Sequence, residues 1–272
     1  FHTDHMGGAH QLARKLPIRT FIDHGVTIDQ GERPRAAFNS YANLRSNSSH
    51  VIVEPGHRLA LKGLEVTILS SNGNVLNEPL PDAGNKNSYC DSFIFHGEQI
   101  TERYGNAEDQ LSISALVVFG QFRAVIMGDL TWNKEYPLVC PDNKIGTVDL
   151  YLVSHHGSHT SGSKALVHAI DPQVAIMNNG PRKGGAVQTF EILRSVNNLE
   201  RLWQNHYSIE ASHAHNAPNR FIANLQNDEP LPDEDYIHLG PAHWIQVSAF
   251  ADGSFSVTNT RNQFTRTYGP AE

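Results

Sequence analysis

Only two cysteines, Cys90 and Cys140, occur in the 272 residues, and no C-x-x-C pair is present. That gives no support to a thiolate zinc site or a dithiol redox motif. The two residues are expected either as separate thiols or as one disulfide, the latter suiting a periplasmic or secreted protein. No stretch approaches the roughly 20 apolar residues of a membrane span. A Gly-x-Ser-x-Gly elbow and a glycine-rich phosphate loop are both missing. Serine-nucleophile and P-loop chemistry therefore have no support. Basic residues are outnumbered, 21 Lys and Arg against 28 Asp and Glu, for a net charge of -7. This balance argues against long nucleic acid as a partner, because a grip on phosphates needs a basic face. The chain begins at Phe1 rather than Met, so it reads as part of a longer frame with no signal peptide in view.

What is abundant is histidine, with 16 residues. Histidine is the commonest side-chain metal ligand and a frequent acid or base. Many histidines are simply surface residues, so position has to decide. The length suits one large domain or two small ones. Without internal repeats or low-complexity tracts, a single domain over 1–272 is expected.

Gly7-Gly8 precede a short helical pattern that Pro17 ends. A strand over 20–22 runs into Asp23-His24-Gly25, and a polar helix is expected over 33–48. Residues 51–69 alternate β-branched with polar side chains around Pro55-Gly56 and Lys62-Gly63, which predicts two or three strands. Residues 71–110 are rich in Asn, Gly, Pro and Asp and are expected to form a long surface loop. The strongest β signal follows, with strands over 112–119 and 122–127 turning at Gly120-Gln121. The second strand stops at Gly128-Asp129. A short helix at 132–136 leads to an apolar strand over 148–153 that ends in Ser154-His155-His156-Gly157-Ser158. Then come a helix over 163–170, a strand over 174–177, Asn178-Asn179-Gly180, and a helix over 188–195. This alternation implies a layered α/β fold. A C-terminal β-hairpin is expected at about 244–260, turning at Ala251-Asp252-Gly253.

Three clusters share one placement. His2-x-Asp4-His5, Asp129 and His155-His156 each lie at or near a strand end, beside glycine. Strand ends hold side chains rigidly while glycine lets the backbone turn sharply and approach closely. Neutral imidazoles and carboxylates hold Zn²⁺ with one position left for water, and a shared carboxylate bridges two ions. Asp129, at the end of a buried strand, suits that bridge, although it also suits the N-cap of the helix that follows.

The opening Phe1-His2-Thr3-Asp4-His5-Met6-Gly7-Gly8 resembles the H-x-H-x-D-H signature, followed by Gly-Gly, of the metallo-β-lactamase superfamily. His2, Asp4 and His5 match its last three functional positions, and its first histidine would precede Phe1. Gly128-Asp129 resembles the family's bridging aspartate. Leu152-Val153-Ser154-His155-His156-Gly157-Ser158 is similar to the His-His-Gly-Ser segment of one branch, which includes the hydrolase domain of the DNA-uptake competence channel and the phosphorylcholine esterases. The run from Gly128 to Glu135, with Met177-Asn178-Asn179-Gly180-Pro181, resembles an uncharacterised bacterial group within it. The resemblance spans nearly the whole chain.

It implies a four-layer αβ/βα sandwich with the first strands missing. It implies one or two Zn²⁺ ions, with Mn or Fe as alternatives, on His2, Asp4, His5, Asp129 and His155. Asp4 and His156 are the implied catalytic residues, with the order of His155 and His156 left open. The histidine that many members place between the signature and the bridging aspartate has no clear match. His50, His57 and His96 lie in that interval; His57 reads as a solvated turn residue and His96 as the better candidate. The implied reaction is attack of a metal-bound hydroxide on a small ester, phosphodiester or lactam-type substrate. A competence-type nuclease and a metal-poor binding module are the alternatives. Asn179 and His215 are expected at the substrate, and Arg182 and Lys183 either at an anionic substrate or in solvent. Asp23 and His24 are expected either behind the ligands or in a satisfied turn. Ser158, Thr160 and Ser161 are expected to cap the following helix. The bacterial group in question often looks exported.

Overall fold

The computed structural model describes residues 1–91, 108–225 and 241–270. His96 lies outside the described residues. Along the chain come α1 (Thr3–Met6), α2 (Ala9–Ala13), β1 (Thr20–Asp23), α3 (Glu32–Arg45), β2 (Ser49–Ile52), β3 (Arg58–Leu61), β4 (Leu64–Ser71) and β5 (Asn74–Val75). The next segment carries β6 (Ser114–Phe119), β7 (Phe122–Ile126), α4 (Trp132–Val139), β8 (Leu150–Leu152), α5 (Lys164–Ile170), β9 (Val174–Met177) and α6 (Val187–Arg194). It closes with β10 (Arg201–His206), α7 (Ser212–His215) and β11 (Ile222–Asn224), and the last segment holds β12 (Ile245–Ala249), β13 (Phe255–Asn259) and β14 (Phe264–Tyr268).

These elements make a mixed α/β protein. The large sheet runs in the order β11-β10-β9-β8-β7-β6-β4-β3, with β5 on β4. From β7 to β11 the neighbours are parallel, and from β7 to β3 they are antiparallel. β1 and β2 pair in parallel by themselves, and β12-β13-β14 form an antiparallel sheet.

Side chains alternate across a strand, and the central strands use both faces. Tyr151, Val153, Ala175 and Met177 pack toward α4, α5 and α6, in a core that includes Leu138, Leu166 and Phe190. Their neighbours Leu150, Val174 and Ile176 face the other way, against Phe255, Val257 and Tyr268 of the C-terminal sheet. The large sheet is thus covered by helices on one face and by a small sheet on the other. Burial on both faces explains why β8 and β9 read as apolar runs rather than alternating ones.

Several elements differ from expectation. β10 carries the sequence Arg-Leu-Trp-Gln-Asn-His, polar at too many positions to show a two-residue period. Its strand state is imposed by pairing with β9, and both Trp203 and Gln204 are fully buried. Trp203 donates its indole N–H to the Tyr268 hydroxyl at 3.0 Å. β14 extends the expected C-terminal hairpin to three strands. The segment 71–110 is not wholly a surface loop: β5 lies in it, and Leu76, Asn87, Glu108 and Asp109 are buried. Cys90 and Cys140 are joined in a disulfide, with Cα atoms 5.7 Å apart.

Candidate metal centre

Because β7, β8 and β9 are parallel, their carboxyl ends share one edge, where ligand sites of α/β sheets collect. That edge receives Asp129 after β7, the turn Ser154–Gly157 after β8, and Asn178 after β9. β6 is antiparallel to β7, so residues just before β6 reach the same edge. Asp109 opens a 3₁₀ turn, Asp109–Leu111, at that place, and the Asp129 backbone N–H donates to Ser112 Oγ at 3.1 Å. The short helix α1 lays Asp4 and His5 across the edge, its turn closed by bonds from the His5 and Met6 N–H groups to His2 O.

Four donor atoms, one each from Asp4, His5, Asp129 and His156, lie within 4.8 Å of one another. His5 Nε2 is 2.9 Å from Asp129 Oδ2 and 3.5 Å from Asp4 Oδ2. His156 Nε2 is 2.9 Å from Asp4 Oδ2 and 3.6 Å from Asp129 Oδ1. His156 Nε2 is buried yet makes no hydrogen bond of acceptable geometry. Its other nitrogen, Nδ1, lies 3.2 Å from Asn178 O. A carbonyl only accepts, so Nδ1 carries a proton and Nε2 is the nitrogen turned toward the carboxylates, the orientation that a metal-bound histidine has.

His155 is oriented differently. Its Nδ1 meets Ser161 Oγ and Thr160 Oγ1, each at 3.2 Å, and its Nε2 lies 3.6 Å from Asp129 Oδ2 and 3.9 Å from Asp109 Oδ2. Both histidines are left-handed, His155 at φ 48, ψ 46 and His156 at φ 56, ψ 15. Two consecutive non-glycine residues in this region are costly and persist only where surrounding structure fixes them. The fixing is visible. The His155 N–H donates to Gly128 O, and the His156 and Gly157 carbonyls accept from the Gly185 and Ala186 N–H groups. Behind the turn, Glu135 is fully buried and accepts from the N–H groups of Gly162 and Ser163 at 2.7 and 2.8 Å.

The electrostatics favour an ionised cluster. The His156 imidazole and the Lys183 ammonium hold the Asp4 carboxyl well below its usual range. Burial works to raise Asp129, but the His5 hydrogen bond and the neighbouring His155 and His156 outweigh it and leave it lowered. Burial lowers His155. Burial opposes protonation of His156 as well, yet the Asp4 carboxylate beside it raises that group. The Asp109 carboxylate raises His2.

The chain matches no protein-family model and no curated protein. Among solved structures it is similar to a protein of Parabacteroides distasonis assigned as a metal-dependent hydrolase, with TM-score 0.36 and 11% identity over 67% of this chain and 74% of that one. A likeness this slight decides neither family nor activity, so the residues themselves carry the case.

Of the residues singled out in the sequence, Asp4, His5, Asp129 and His156 come together, and His2 faces Asp109 at 3.1 Å. His155 borders the four-atom set without belonging to it. Asn179 is tied into the protein by its own amide. It is buried, its amide nitrogen donates to Gly180 O and His206 O, and its oxygen accepts from the His206 N–H. His215 is also displaced from the expected place. α7 is pinned to α6 by Arg194, which donates to Ala214 O and His215 O, and His215 lines a separate cavity of about 250 Å³ with Leu193, Leu202 and Pro218. Asp23 faces Tyr41, Arg45 and His50 instead of the cluster, whereas His24 Nε2 reaches Glu108 at 3.2 Å. Ser163, rather than Ser158, Thr160 or Ser161, caps α5. Lys183, half exposed, pairs with Asp4.

Asp109 and Glu108 belong to the same edge, and no sequence motif marks them. Their one signal is an acidic pair immediately ahead of the clearest strand, and the polar run 71–110 masks it.

Proposed function

We propose that this protein is a metal-dependent hydrolase built on the metallo-β-lactamase-like four-layer αβ/βα sandwich, with Asp4, His5, Asp129 and His156 as ligands. The convergence of those four donor atoms, with His156 Nε2 buried and unbonded, carries the reading. Two imidazole nitrogens and two carboxylates are the chemistry of zinc, with manganese and iron as alternatives. Helices on one face of the large sheet and a small sheet on the other support a sandwich.

A bound ion supplies Lewis acidity and brings the pKa of water to about 7. The rest is done by the chain. In this reading His156 is the ligand and His155 the acid-base group, the reverse of the order favoured from sequence. Burial lowers the His155 imidazole, and its Nε2 faces Asp129 and Asp109, where it would exchange a proton with a substrate. Thr160 and Ser161 hold its ring in place. Asp4 stays ionised beside Lys183. Lys183 is taken up by Asp4 at the rim, and a small ester, phosphodiester or lactam-type substrate is the class that the family resemblance implies. The net charge of -7 favours such substrates over long nucleic acid. The Cys90–Cys140 disulfide supports an oxidising compartment, the periplasm or exterior of a bacterium. Among the described residues no helix is long and apolar enough to cross a membrane.

Elemental analysis tests the proposal. At least one zinc ion per chain is expected in the purified protein, and Asp129→Ala is expected to lose it. Absence of metal from the unaltered protein, after incubation with Zn²⁺, overturns the reading.

A further inference from the structure

We infer that Glu135 is a positioning residue for the candidate metal centre: from behind the edge it clamps both ends of the segment 154–163 and thereby fixes the direction of the His155 and His156 imidazoles. The inference rests on the hydrolase reading for the role of those imidazoles and goes beyond it in naming what aims them.

The segment needs a clamp. His155 and His156 are both left-handed without being glycine, a conformation that persists only where its surroundings enforce it. Glu135, on α4, is 0% exposed. Its partners are peptide N–H groups and serine hydroxyls rather than a lysine or arginine. A carboxylate is costly to bury in this way. Its hydrogen bonds offset the cost, so the groups that donate them are held tightly.

Those groups lie on both sides of the histidines. After them, the Gly162 and Ser163 N–H groups donate to Oε1 and Oε2 of Glu135 at 2.7 and 2.8 Å. Before them, the Ser154 hydroxyl favours the charged form of the same carboxyl. Ser154 is tied in turn to the Tyr151 hydroxyl, through its N–H at 3.0 Å and its Oγ at 2.6 Å. α4 adds a further tie, from the Trp132 N–H to Thr160 O at 3.0 Å. Between the two ends, Thr160 Oγ1 and Ser161 Oγ each lie 3.2 Å from His155 Nδ1. The loop that Glu135 holds is therefore the loop that sets the His155 ring, and His156 is the next residue of the same turn.

Capping of α5 does not account for this residue. α5 begins at Lys164, and Ser163 Oγ already accepts from the Leu166 N–H at 3.2 Å. Gly162 and Ser163 precede the helix, so Glu135 bonds the loop rather than the first helical turn. Both carboxylate oxygens are used. A glutamine has one carbonyl oxygen, and its amide nitrogen would turn an N–H toward a peptide N–H.

The test is spectroscopic. Chelator-treated protein is titrated with Co²⁺ in place of Zn²⁺, and its visible absorption bands read the ligand geometry. Competition with Zn²⁺ gives the zinc affinity. Both are measured at pH 8, above the range in which Glu135 takes a proton. Glu135→Gln is expected to shift the Co²⁺ bands and to weaken zinc by more than about tenfold. Glu135→Asp keeps the charge one methylene short of its donors and is expected to fall between parent and glutamine variant. Val257→Ala opens a cavity in β13, far from the turn. It lowers stability alone and is expected to keep the parent's bands and affinity. A glutamine variant with the parent's bands and affinity overturns the inference while the hydrolase reading stands, as does a Val257→Ala variant that shifts both as far. Should the glutamine variant fail to fold, an aspartate variant indistinguishable from the parent overturns it by itself. A parent that binds neither Co²⁺ nor Zn²⁺ overturns both readings.

Discussion

A Cβ placed on Gly184 would lie 2.0 Å from the carbonyl oxygen of His156. The loop 180–186 therefore reaches the His155–His156 turn only because residue 184 has no side chain, and its φ of +70 is one that glycine adopts without strain. Gly184→Ala is expected to push this loop off the His155–His156 turn. The cost is about 1–3 kcal/mol of stability, read by urea unfolding. Metal affinity should fall with it. A variant as stable as the parent, with unchanged zinc content, would show that the turn does not depend on this contact.

The two adjacent histidines separate by experiment. His156→Ala removes a proposed ligand whose Nδ1 is tied to Asn178 O, and on that proposal zinc content is expected to fall sharply. His155→Ala should keep zinc but lower the turnover of a hydrolysed substrate by roughly a hundredfold or more. The opposite pattern, zinc lost only in His155→Ala, would restore the order favoured from sequence.

Glu135 sets a pH dependence of stability. Burial pushes its carboxyl up from 4.5 to about 7, against the two backbone N–H groups that favour its charge. The unfolded chain releases this proton at lower pH than the folded one, so unfolding gains from rising pH. Stability from this group is lost between about pH 4.5 and 7 and is constant above, on the order of 3 kcal/mol in all. Glu135→Gln has no such titration. Thermal unfolding at pH 5 and pH 8 should show the parent losing ground relative to the variant, and an equal gap at both pH values would contradict the assignment.

The Cys90–Cys140 bond closes a loop with a sequence separation of 50 residues. Its removal in a Cys90→Ser, Cys140→Ser double variant is expected to cost about 2–4 kcal/mol. Reductant should lower the melting temperature of the parent toward that of the variant and leave the variant unaffected. A parent indifferent to reductant would argue against the bond in solution.

The sequence alone determined the strands over 112–127, 148–153 and 174–177, because apolar runs bounded by glycine and polar turns are local signals. It also put Asp129 and the His155–His156 pair at strand ends, and it marked His2, Asp4 and His5 through a contiguous motif. Tertiary structure decided the rest. Which nitrogen of His156 faces the carboxylates depends on Asn178 O, a partner 22 residues away. Asp109 joins the site because antiparallel pairing of β6 with β7 folds its turn back to Asp129, and no local pattern records that pairing. Asn179 and His215 looked suited to a substrate as residue types, yet each spends its hydrogen bonds or its packing elsewhere. Spacing fixes which residues approach an edge, but direction and partnership depend on chain segments far apart in sequence.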